Sequence, residues 1–151
     1  MKKLLALFAA GVVLATSAVA EEPRATPQDA EDLVKTAVAV LKKQGPEKAF
    51  KEFQNKAGSF IYRDLYIFVY DMKGNCLAHG ADPARVGKNL ADGKDAEGKP
   101  FMAERLVLMA SKTSAWQDYK FKNPANGKIE AKTAYLQKYE DVIIGSGAYK
   151  P

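Results

Sequence analysis

At Leu65 the apolar pattern changes period, and that change limits the fold more than any other feature of the chain. Before it, Ala30, Leu33, Val34, Ala37, Val38 and Leu41 recur at helical spacing and form one stripe. After it, Leu65-Tyr66-Ile67-Phe68-Val69-Tyr70 is a β-branched and aromatic run with apolar residues on both faces. Such a strand needs cover on both sides. Asp71-Met72-Lys73-Gly74-Asn75 then turns the chain into a second strand, Cys76-Leu77-Ala78-His79, with Gly74 free to take the positive φ that a hairpin turn demands.

The rest of the chain follows the same logic. Thr26 is an N-cap before Pro27, and Asp29 complements the positive end of the helix dipole. Gly45-Pro46 stops that helix and starts another, with Ala49, Phe50 and Phe53 on its apolar face. Residues 26–57 therefore read as a helical arm. Gly80 to Lys99 is rich in Gly, Asp, Pro and Asn, and irregular segments of that length usually carry function or act as lids. Asp92, Asp95 and Glu97 in it miss calcium-loop spacing and suit helix initiation better. Pro100 to Lys112 reads as a helix with Ala103, Leu106, Val107 and Ala110 on its inner side. Trp116–Phe121, Ile129–Lys138 and Val142–Tyr149 read as three more strands joined by short turns. Short turns make neighbouring strands antiparallel. The fold class is α+β: a five-stranded antiparallel sheet core over 65–149, a long N-terminal helix, and a loop-helix covering the other face.

Charge and targeting signals narrow the function. Met1-Lys2-Lys3, the apolar run from Leu4 to Ala15, and Ala18-Val19-Ala20 describe a signal peptide over residues 1–20, leaving one domain over 21–151. The expected location is periplasmic or secreted. The formal net charge of +5 invites a nucleic-acid reading, but lysines and acids alternate as on an ordinary solvated surface. No nucleic-acid partner is expected. The one cysteine, Cys76, lies in a strand and reads as a small buried hydrophobe.

Several fragments then line up in order. Tyr66-Ile67-Phe68-Val69-Tyr70-Asp71-Met72-Lys73-Gly74 leads into Leu77-Ala78-His79, Val86-Gly87-Lys88-Asn89-Leu90, and Asp95-Ala96-Glu97-Gly98-Lys99-Pro100-Phe101. Trp116-Gln117-Asp118-Tyr119, Asn123-Pro124, Lys132-Thr133-Ala134-Tyr135 and Ile144-Gly145-Ser146-Gly147-Ala148-Tyr149 complete the series. The series resembles the single Cache domains of bacterial extracytoplasmic sensors. That resemblance implies a PAS-like sheet and a small organic acid, such as acetate, propionate, pyruvate or lactate, held between the sheet and the loop-plus-helix. Two positions depart from the family pattern: Gly80 stands where a proline often follows the histidine, and Asp141-Val142 where a tryptophan often precedes the last strand.

A carboxylate needs a cation or several N–H and O–H donors, together with walls that exclude water. Tyr66, Phe68 and Tyr70 share one strand face; His79 ends the paired strand; Trp116, Tyr119 and Tyr135 add rings from later strands; Lys132 is the cation in the sheet. These eight are the expected ligand-binding residues. Lys132 and Tyr135 are three apart, as are Trp116 and Tyr119, so a regular strand places each pair on opposite faces unless a bulge intervenes. One histidine, no nucleophile–base pairing and no metal-ligand set leave an enzyme without parts, and no metal or cofactor is expected. Gly145-Ser146-Gly147 precedes no helix and is no dinucleotide loop. The reading is an exported ligand-binding domain that senses or carries a small organic acid and lacks its own transmembrane signalling module; either it passes a liganded state to a membrane-bound signalling partner, or it only buffers or delivers the solute. The alternative is an interaction module with a vestigial pocket, dimerising through the arm from Pro27 to Ala57.

Overall fold

The computed structural model describes residues 23–151; the expected signal peptide lies outside the described residues. Helix α1 (Pro27–Gln44) begins at Thr26, whose hydroxyl accepts from the Asp29 backbone N–H while the Asp29 carboxylate accepts from that of Thr26. This reciprocal cap satisfies two of the helix's orphan donors. Gly45 ends α1 with φ +80°, a left-handed value that favours glycine, and α2 (Pro46–Phe53) follows. The apolar stripe of α1 is buried as its spacing predicts, through Ala30, Val34, Ala37, Val38 and Leu41.

The run from Leu65 to Tyr70 does not form one strand. A small hairpin, β1 (Ile61–Tyr62) and β2 (Leu65–Tyr66), precedes β3 (Phe68–Asp71), and β4 (Cys76–His79) returns along β3. A 3-10 turn (Pro83–Arg85) and helix α3 (Phe101–Ser111) lie in the crossover. The strands β5 (Ser114–Lys122), β6 (Ile129–Tyr139) and β7 (Val142–Tyr149) complete a five-stranded sheet in the order β4-β3-β7-β6-β5, antiparallel throughout. The last strand thus inserts at the centre, beside β3.

Each face of the sheet carries a core. On one, Val34, Val38, Leu41 and Phe53 of the helices pack on Ile67, Val69, Ala78 and Ile144. On the other, Tyr66, Phe68, Tyr70, Leu136 and Ile143 meet Phe101, Met102 and Met109 of α3. Cys76 is buried in this second core. The face expected of α3 is corrected here. Val107 is 75% exposed, and Ala103 and Ala110 also face solvent. The buried side is Phe101, Met102, Arg105 and Met109, because the larger side chains exclude more water than the alanines do. Asp95 is corrected too. Its carboxylate starts no helix; it accepts from the backbone N–H groups of Glu97, Lys99 and Lys120, which pins the crossover to β5.

Gly145 shows how closely the second core is fitted. It lies opposite Phe68 in the ladder, and a Cβ there would stand 2.2 Å from that ring. The bare backbone of β7 therefore makes room for the Phe68 ring over the sheet.

Candidate functional site

The site is built on the α3 face. Tyr119, Lys132 and Tyr149 are direct cross-strand partners on β5, β6 and β7, so their side chains form one row. Lys132 is 1% exposed, and Gly147 leaves space for its stem: a Cβ at 147 would come within 2.7 Å of the lysine Cε. The Lys132 Nζ donates to the Tyr66 hydroxyl at 2.9 Å and lies 3.5 Å from that of Tyr149. The Tyr149 hydroxyl donates onward to the Lys122 carbonyl at 2.8 Å. Rings of Tyr66, Tyr149, Phe121 and Phe68 surround the ammonium, with centroids 4.2 to 5.6 Å away.

A second cation stands behind the first. Arg105 of α3 is also 1% exposed and lies among Phe68, Tyr119, Phe101 and Tyr70, at 4.6, 5.2, 5.3 and 5.6 Å. Its Nε donates to Gln117 Oε1, whose amide donates to the Phe101 carbonyl, tying α3 to β5. Its Nη2 is buried without a hydrogen-bond partner. Arg85 of the 3-10 turn is a third cation, 5.1 Å from the Phe121 centroid, and its buried Nε likewise has no partner. Among the described residues, no ion pair involves Arg85, Arg105 or Lys132. Burial, reinforced by Arg105, drives the Lys132 amine well below the ordinary lysine range.

A cavity of about 400 Å³ opens beside this cluster, lined by Tyr66, His79, Ala81, Asp82, Arg85, Phe121, Lys122 and Pro124. It lies at the end of β4 and under the crossover. Tyr66 and Phe121 belong both to the cavity wall and to the rings around Lys132. The expected ligand space therefore lies towards the loop, because Arg105 and its rings fill the part beneath α3.

His79 is 2% exposed, and its Nδ1 accepts from the Asp82 backbone N–H at 2.9 Å. That bond leaves Nε2 as the nitrogen that carries the proton in the neutral ring. Burial first, then Lys132, Arg85 and Arg105, holds its pKa down at about 2. The folded ring resists protonation that the unfolded chain accepts near pH 6.5, so stability is full above that pH and falls on acidification. His79 is the sole histidine, and the carboxylates titrate lower. Urea melts between pH 6.5 and 5 are expected to show a loss of about 2 kcal/mol. His79→Gln is expected to flatten that slope, and an equal slope in both proteins would remove the histidine as its cause.

Of the eight sequence-predicted residues, Tyr66 and His79 line the cavity, and Phe68, Tyr70, Tyr119 and Lys132 lie in the cluster behind it. Trp116 and Tyr135 do not join them. The β5–β6 register runs without a bulge, so these two pair with each other on the helix α1 face, with ring centroids 5.2 Å apart. Trp116 is 42% exposed there. Arg85, Arg105, Phe121 and Tyr149 also meet here and are not among the eight. Arg105 was legible as a charge at i+4 between Phe101 and Met109, within the bulkiest stripe of its helix.

The family model for single Cache domain 2 matches residues 2–150. The chain belongs to the single Cache domain family. Solved structures agree on the fold. A Cache chemosensory domain studied for carboxylic acid recognition aligns at TM-score 0.73 and 22% identity, over 82% of this chain and 92% of that one. A methyl-accepting chemotaxis protein from Vibrio parahaemolyticus aligns at TM-score 0.71 and 20% identity, over 81% and 86%. The sensor histidine kinase MctS of Rhizobium johnstonii is 32% identical over 89 residues, 58% of this chain. This Cache domain spans only 19% of that kinase's length. The α+β fold with a five-stranded antiparallel sheet expected from the sequence is thereby shown.

Proposed function

We propose that this Cache domain is an exported, non-enzymatic binding domain that senses or carries a small organic acid in the cavity beneath Arg85. One observation carries the reading: the basic groups Arg85, Arg105 and Lys132 gather at aromatic walls, and among the described residues none of them forms an ion pair with a carboxylate. Burying an unpaired guanidinium costs several kcal/mol, and a carboxylate placed beside it would offset much of that cost. Arg85 supplies a planar guanidinium whose fork of N–H donors matches a carboxylate. His79 supplies a neutral N–H donor, Tyr66 lies at the inner wall, and Lys132 donates to the Tyr66 hydroxyl from behind that wall. The aromatic rings exclude water and fit a short aliphatic or 2-oxo chain.

Relatives that are chemoreceptors and sensor kinases support a signalling role, with a liganded state passed to a membrane-bound partner. Among the described residues no helix is long and apolar enough to cross a membrane. The site residues we assign are Tyr66, His79, Arg85, Phe121 and Lys132, with Phe68, Tyr70, Tyr119 and Arg105 in support.

A thermal-shift panel of short mono- and dicarboxylates, amino acids and amines tests the proposal. Carboxylates are expected to raise the melting temperature by mass action, as about 2.7 kcal/mol of stabilisation at a hundred times Kd, and amines are expected to do nothing. No response to any carboxylate, together with a concentration-dependent dimer in sedimentation, would instead favour an interaction module.

A further inference from the structure

We propose that Lys132 captures small 2-oxo acids covalently, as an imine on its Nζ. The inference rests on the carboxylate reading above and adds a bond-forming step to it. Three geometric facts support it. Among the described residues the amine has no acidic partner within ion-pair distance, and it is held by phenolic hydroxyls, Tyr66 at 2.9 Å and Tyr149 at 3.5 Å. A wall of two rings, Tyr66 and Phe121, separates it from the cavity, and Phe121 is only half-buried, so it is the ring that the proposed capture requires to move. Arg85 lies 5.1 Å from the centroid of the ring that Lys132 approaches at 5.5 Å. The Phe121 ring is thus the shared wall between the guanidinium that would hold a carboxylate and the amine that would meet its neighbouring carbonyl carbon.

The local chemistry suits that step. Apolar burial beside two guanidiniums favours the uncharged amine, the nucleophilic form. The Tyr66 hydroxyl is pushed well above the usual tyrosine range, chiefly by burial, so it stays protonated and can relay a proton. The Nζ lone pair adds to the carbonyl carbon, and a proton passes from nitrogen to the former carbonyl oxygen. The resulting carbinolamine loses that oxygen as water, forming the C=N bond. Amine and ketone give imine and water, with no change of oxidation state and no further reactant. A simple carboxylate such as acetate lacks the ketone and binds only reversibly.

The test treats the whole protein with pyruvate and cyanoborohydride, which reduces an imine to a stable amine, and maps the adduct by peptide mass spectrometry. The expected result is labelling at Lys132 at least about tenfold above any surface lysine, since each unit of lowered pKa exposes about tenfold more free amine. Acetate is expected to compete, and Lys132→Met to abolish the adduct. The wild-type map decides even where that variant fails to fold. A thermal shift with both acetate and pyruvate but no adduct, or an adduct spread evenly over surface lysines, overturns the imine and leaves the carboxylate reading standing. No shift with either acid removes both.

Discussion

Replacing Arg85 by methionine is expected to weaken carboxylate binding about 10- to 100-fold, as for loss of a hydrogen bond to a charged group worth about 1.5–3 kcal/mol. Arg85 lines the cavity together with Lys122, and its buried Nε has no protein partner, so that N–H is open to an anion. Methionine keeps contact with Phe121 through its unbranched stem but loses the fork that matches a carboxylate. The turn itself is held by Asp82, whose carboxylate caps Ala84, and by backbone bonds from Arg85 and Val86, none of which needs the guanidinium. The apo melting temperature is therefore expected to stay within a few degrees of wild type. Titration calorimetry on both proteins measures the difference. Unchanged affinity would move the anion away from this turn.

Phe53→Ala is expected to produce the largest loss of stability, about 3–5 kcal/mol, the range for truncating a buried phenylalanine. Phe53 is fully buried at the end of α2 and meets the Phe60 ring edge-on at 4.8 Å. It fastens the helical arm beneath β4 and stands on the opposite face of the sheet from the cation cluster. A fall of about 10 °C or more in melting temperature follows from a change of that size. Below the new midpoint, carboxylate affinity is expected to stay near wild type, because no site residue contacts the lost ring. A small loss of stability would mean that the arm packs loosely.

The two predictions divide along the line between what the chain reveals and what it hides. The α1 stripe, the hairpin turn at Gly74 and the three late strands follow from spacing and turn chemistry alone, and each is present. Parity along a strand separates Lys132 from Tyr135 and Trp116 from Tyr119, and the bulge-free register keeps them apart. What spacing does not convey is which of two faces a short helix turns inward. The α3 helix carries alanines and Val107 on one side and large residues with an arginine on the other. The burial of Arg105 depends on rings from β3 and β5 that are distant in the chain. Arg85 and Phe121 are joined only when the crossover folds back on β5, which local pattern cannot express.

Negative charge is what the cavity is expected to select. Titration calorimetry with propionate and with propionamide, molecules of nearly equal size and shape, isolates that charge. Binding of propionate at least about 10-fold tighter is predicted from the charge-assisted bonds available to it. Equal affinity for the two, or binding of the amide alone, would contradict it.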